Sequence, residues 1–129
     1  MAVDEGLVTW VEEAMAPLGQ VTGRAMMGGR TLYCDGVVFA ILGGDDGLWL
    51  KADAETDAEW DAAGCERFSY TFPDGRTGAM NYRRAPDDCY DDADALRRWG
   101  ELALAAGVRA AAAKRPRSPR ARGAPPRRR

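Results

Sequence analysis

Few side chains in this sequence could make or break a bond. The chain has 129 residues and no histidine, so nothing offers the usual neutral-pH base for a serine or cysteine nucleophile. Its serines are Ser69 and Ser118, its lysines Lys51 and Lys114, and its cysteines Cys34, Cys65 and Cys89. The cysteines are widely spaced and odd in number, with no CxxC pair, which argues against a zinc site or a disulfide framework. They read as small buried hydrophobes. Carboxylates gather at Asp45-Asp46 and across Asp87, Asp88, Asp91, Asp92 and Asp94. Paired acids can serve hydrolysis or hold a divalent cation. The first pair lacks the alternating ligand spacing of a calcium loop. The second group falls where helix caps belong. No catalytic residue, metal or cofactor is expected.

The elements that must position these groups can be read from periodicity and turn chemistry. Leu7, Val8, Val11, Met15 and Leu18 recur at helical spacing, predicting a first helix from near Asp4 to about Pro17. Asp35-Gly36 separates Thr31–Cys34 from Val37–Leu42, a strong two-residue hairpin signal. Gly43–Gly47 turns the chain again into Leu48–Lys51. Asp53 can cap a short second helix ended by Gly64, with Thr56, Trp60 and Ala63 on one face. Phe68, Tyr70 and Phe72 alternate with polar residues, Pro73–Arg76 reverses the chain, and Met80 and Tyr82 alternate on the return. A third helix begins near Asp91 or Asp92 with Ala95, Leu96, Trp99, Leu102, Ala103 and Ala106 as its stripe, and Gly107 weakens it. The expected fold is α+β, two-layered, with an antiparallel five-stranded sheet covered by helices in the order α-β-β-β-α-β-β-α.

Charge divides the chain in two. Residues 1–108 carry nine Lys/Arg against twenty Asp/Glu, a net −11, whereas residues 109–129 carry nine Lys/Arg and no acid. The expected domain is therefore 1–108, followed by an Arg/Pro/Ala-rich tail over 109–129 that lacks the apolar surface to order itself. No apolar run is long enough to span a membrane, and the first residues carry Asp4 and Glu5 rather than the basic start of a secretory signal. A cytoplasmic location is expected.

Arg24-Ala25-Met26-Met27-Gly28-Gly29, then Leu32-Tyr33-x-Asp35-Gly36-x-x-Phe39-Ala40, resembles the signature of the TfoX/Sxy N-terminal domain family. Leu48-x-Leu50-Lys51, Gly64, Phe68-x-Tyr70, Met80-x-Tyr82, Pro86, Asp92, Leu96 and Trp99 continue the similarity over about residues 4–107. The resemblance implies an α+β fold with an antiparallel sheet and a regulatory association. The family's namesakes are bacterial competence regulators that act on transcription and carry a second, C-terminal domain. Here Met27 stands where the family has an aromatic, and the arginine tail stands where that domain would follow. A competence role is therefore not carried over, and the resemblance supplies no chemistry.

The expected function is a non-enzymatic regulatory or adaptor module that binds another protein. Met26, Met27, Gly28, Gly29 and Arg30 are its candidate partner surface, since paired glycines at a strand let another backbone approach closely. The same residues also fit a plain bulge with the methionines in the core. The alternative function is weak, sequence-independent nucleic-acid binding through Lys114, Arg115, Arg117, Arg120, Arg122, Arg127, Arg128 and Arg129. No aromatics are interleaved there for base stacking. The acidic domain would compete for the same charges.

Overall fold

A helix, four strands of one meander and a short helix lead into a hairpin and a long closing helix. The computed structural model describes residues 5–26, 29–43, 47–71 and 73–114. Helix α1 is Glu5–Met15, followed by strands β1 (Val21–Met26), β2 (Gly29–Cys34), β3 (Val37–Gly43) and β4 (Gly47–Lys51). Helix α2 (Asp57–Ala62), the hairpin β5 (Arg67–Thr71) and β6 (Thr77–Arg84), a 3-10 turn (Asp87–Tyr90) and helix α3 (Ala93–Lys114) complete the order. The sheet is antiparallel, ordered β1-β2-β3-β4-β6-β5. It holds six strands rather than the expected five, because Val21–Met26 pairs along its whole length with β2.

Local chemistry explains most of the boundaries. Asp35 and Gly36 both take positive φ, 50° and 84°, as a two-residue hairpin turn requires. Asp35 then fixes the start of the β1–β2 ladder, since its side chain accepts the Gln20 N–H at 2.9 Å while its own N–H donates to the Gln20 carbonyl at 2.8 Å. Gly64, at φ 75°, ends the α2 segment in the left-handed conformation that a side chain disfavours. Asp53 acts one turn earlier than expected. Its carboxylate accepts the N–H groups of Glu55 and Thr56, and α2 itself starts after Thr56.

The helices lie on one face of the sheet. Val11 and Met15 of α1, Trp60 of α2 and Leu96 of α3 meet Leu32, Phe39, Leu42, Leu48 and Leu50 in the main core. Trp60 is fully buried and stacks on Trp99 with ring centroids 4.7 Å apart. Truncating it to Ala would cost about 3–5 kcal/mol. Gly107 is part of this packing and no mere weak point in α3. A Cβ there would collide with the Val38 carbonyl oxygen, so its absence lets the helix lie on the backbone of β3. Trp10 pins α1 to the 3-10 turn by donating its indole N–H to the Cys89 carbonyl at 2.7 Å.

The opposite face carries a smaller cluster of Ile41, Trp49 and Tyr82, with Phe68 and Met80 against it. Cations lie over its rings. The Arg84 guanidinium is 4.5 Å from the Trp49 ring centroid and the Lys51 ammonium 4.9 Å from that of Tyr82.

Candidate functional site

The β1–β2 hairpin forms one edge of the sheet, and it contains the residues singled out from the sequence. Met26 ends β1 and pairs with Gly29, the first residue of β2, while Met27 and Gly28 lie outside the described residues. A Cβ on Gly29 would run into the Leu42 carbonyl oxygen, so this glycine permits the close approach of β2 to β3. The bulge in this part of the sheet falls farther along, between Leu32 and Tyr33. Arg30 turns toward the helices and grips Glu5 through two bonds of 3.0 and 2.9 Å. That fork, with the negative charge of Glu5 beside it, raises the Arg30 pKa above its ordinary value.

The open side of β1 is the distinctive feature. Antiparallel ladders alternate between residues that bond to the neighbour and residues that face away. The register Val21↔Cys34 through Met26↔Gly29 continues the Gln20–Asp35 bonded pair. Thr22, Arg24 and Met26 therefore point their backbone groups at β2. Val21, Gly23 and Ala25 point theirs outward. Residues 22–25 are exposed, and the β1–β2 register runs without a shift. The other edge strand, β5, is interrupted between Arg67 and Ser69. A bulge of that kind blunts an edge against pairing, and β1 has none.

The groups capable of chemistry sit apart from this edge and from one another. Asp92 accepts the N–H groups of Asp94 and Ala95 and so caps α3, and Asp94 pairs with Arg97 at 2.9 Å. Asp45 and Asp46 lie outside the described residues. Among the described residues, no three His, Cys, Asp or Glu side chains converge as metal ligands. The three cysteines are buried free thiols. Desolvation, helped by the charge of Asp88, pushes the Cys89 thiol up to about 12, and burial also raises Cys34 and Cys65. A thiol held protonated in this way is a poor nucleophile. No described helix is long and apolar enough to cross a membrane.

Two ionic arrangements were not legible beforehand. Arg83, only 2% exposed, donates to Asp61 at 2.7 Å, Asp57 at 3.2 Å and the Cys65 carbonyl at 3.0 Å, fastening α2 and the turn after it to the sheet. Arg109 does the same for α3 by bonding Asp53 and, at 3.2 Å, Glu55. Of the candidate polyanion-binding residues, Lys114 is the last residue of α3, and Arg115, Arg117, Arg120, Arg122, Arg127, Arg128 and Arg129 lie outside the described residues.

The edge residues Val21, Gly23 and Ala25 escaped the sequence reading. Their segment alternates weakly, and Gly and Ala dilute its strand character. The signal that was available is the length of chain between Gly19 and the Asp35-Gly36 turn, which is twice what one strand needs. No match to a curated protein was found. The family model of the TfoX N-terminal domain matches residues 13–107.

Proposed function

Since the chain belongs to the TfoX N-terminal domain family, we propose that it is a non-enzymatic regulatory or adaptor module that works by binding another protein along the open edge of β1. This family is not a known enzyme family. The observation that carries the reading is the outward-facing backbone of Val21, Gly23 and Ala25 on a strand whose register is unbroken. A partner segment in extended conformation can add to such an edge as a seventh strand, with main-chain hydrogen bonds supplying affinity. The Met26–Arg30 stretch then flanks the added strand. Its glycine keeps the hairpin close to β3, and Arg30 is braced by Glu5. Regulation of transcription is the process this module would serve, in the cytoplasm.

Capture from a lysate of the native cell tests the reading. Wild-type full chain should retain a stoichiometric partner, and Ala25→Pro should lose it. The Ala25 N–H faces away from β2, so proline there removes an edge donor without removing a ladder bond. Equal capture by both chains, with the variant's melting temperature unchanged, would contradict strand addition.

The charge of the C-terminal segment favours a second reading, in which residues 114–129 bind nucleic acid without reading its sequence. Arg109 is engaged by Asp53 and Glu55, which leaves eight Lys/Arg in that segment. The logarithm of affinity should fall linearly with that of salt, at a slope of about −0.7 to −0.9 per phosphate contacted. Binding that survives removal of residues 114–129 would end this reading.

A further inference from the structure

A groove of about 450 Å³ between α2 and α3 is lined by Glu59, Ala62, Ala63, Arg98, Trp99 and Leu102. Its chemistry is uneven. Trp99 and Leu102 are half-buried, and Trp99 is backed by its stack on Trp60, so the groove has a rigid aromatic wall. Small side chains of Ala62 and Ala63 line the α2 side. Helix α2 carries Asp57, Glu59 and Asp61 and no base, and Asp61 remains 68% exposed although it holds Arg83. An aromatic wall beside small residues, with Glu59 on one rim, suits an extended, proline-containing segment bearing arginines. Such a segment is already close to its bound conformation, so it gives up little entropy on docking.

We propose that this groove docks an arginine- and proline-rich extended segment, and that its occupant is residues 120–129 of the same chain. That stretch reads Arg120-Ala-Arg-Gly-Ala-Pro125-Pro126-Arg127-Arg128-Arg129. Reach selects it over the earlier prolines. Trp99 and Leu102 lie 12–15 residues before Lys114 on α3, which at about 1.5 Å per residue puts the groove roughly 20 Å back along the helix. An extended chain advances about 3.1 Å per residue. Pro116 and Pro119 therefore fall short, whereas Pro125 and Pro126 have about 34 Å of chain behind them. Charge favours the same occupant, since residues 1–108 carry a net −11 and residues 114–129 hold eight cations and no acid. Arg98 on the α3 wall repels arginine, so the prolines lie against Trp99 and the terminal arginines fall on the α2 side beside Glu59. The groove lies among the helices, and the inference stands independently of strand addition at β1. It makes the groove and any external polyanion competitors for one segment.

The test uses the full chain with Ala124→Cys carrying a nitroxide. The three native thiols are buried, so the label goes to the introduced one. In an isotope-enriched sample at low salt, the amide signals of Ala62, Ala63 and Leu102 should lose most of their intensity, and those of Thr22–Ala25 should keep theirs. Glu59→Arg and high salt should each restore the lost signals. Uniform loss over the domain, loss confined to the last turn of α3, or no effect of Glu59→Arg would overturn the proposal. Mixing labelled, unenriched chain with unlabelled, enriched chain should leave the groove signals intact. Loss in that mixture would place the segment of a second copy in the groove and overturn the same-chain occupant.

Discussion

Arg109 closes a two-bond fork on Asp53, with Nε 2.6 Å from one carboxylate oxygen and Nη2 3.0 Å from the other. Fifty-six residues separate the pair, and the fork ties the last turns of α3 to the loop between β4 and α2. It holds the Asp53 carboxyl below the usual carboxylate range, against the opposing effect of partial burial, and hydrogen bonds from Thr56 add to the depression. A carboxylate depressed on folding contributes stability that is fully present above its unfolded pKa of about 3.9 and is lost as pH falls through the folded value. Urea denaturation across the acid range should therefore show wild type losing stability over that interval, with Arg109→Gln flattening the loss. Parallel curves for the two chains would show that the fork contributes nothing to acid stability.

Arg83 offers a sharper contrast. Removing both of its acids, as Asp57→Ala with Asp61→Ala, leaves a buried cation that keeps the Cys65 carbonyl as its described partner, and should cost about 3–5 kcal/mol in urea denaturation. Arg83→Met keeps much of the packing and frees two acids that already reach water, so it should cost less. The two single acid variants should not sum to the double, because each acid covers for the other's loss. A double variant no worse than Arg83→Met would refute the idea that the cation needs its partners.

Two glycines of α3 separate helix propensity from packing. Gly→Ala normally gains about 1 kcal/mol inside a helix. A Cβ at Gly107 meets the Val38 carbonyl, which cannot move without disturbing β3, and overpacking of that kind costs about 1–3 kcal/mol. At Gly100 it meets the end of the Met15 side chain, which has rotamers to spare. Gly107→Ala should thus lower the melting temperature more than Gly100→Ala. The reverse order would show that α3 does not rest on the β3 backbone.

Cys89 should resist thiol reagents at neutral pH and react only at the rate of unfolding, because burial and Asp88 disfavour its thiolate. The same shift makes the domain lose stability as pH climbs above the free-thiol value of about 8.5, since the unfolded chain ionises first. Rapid labelling in the absence of denaturant would contradict this placement.

The parts of the fold that were legible are those with local causes. Asp35-Gly36 specified its turn through two positive φ values, and Trp60 and Trp99 fell on the faces that bury them. Strand β1 was not legible, because Gly23 gives no strand signal of its own. Its missing side chain makes room for the stem of Arg30 on β2, whose Cδ would lie 2.7 Å from a Cβ there. Arg83 neighbours Tyr82 in the strand and so faces the other side of the sheet, and only the docking of α2 turns that position into a buried ionic contact. The fork of Arg109 on Asp53 has the same origin, since α3 must first lie across the sheet. Of the proposed partner surface, the sequence marked the residues Met26–Arg30. It did not mark the outward backbone beside it, since edge position is a property of the finished sheet.

Amide hydrogen exchange at Gly23 and Ala25 tests strand addition most directly. In the free full chain both amides should exchange quickly, while those of Thr22 and Arg24 are slowed by the β2 ladder. On binding the captured partner, Gly23 and Ala25 should become protected together. Protection that appears elsewhere and leaves these two amides fast would contradict binding along β1.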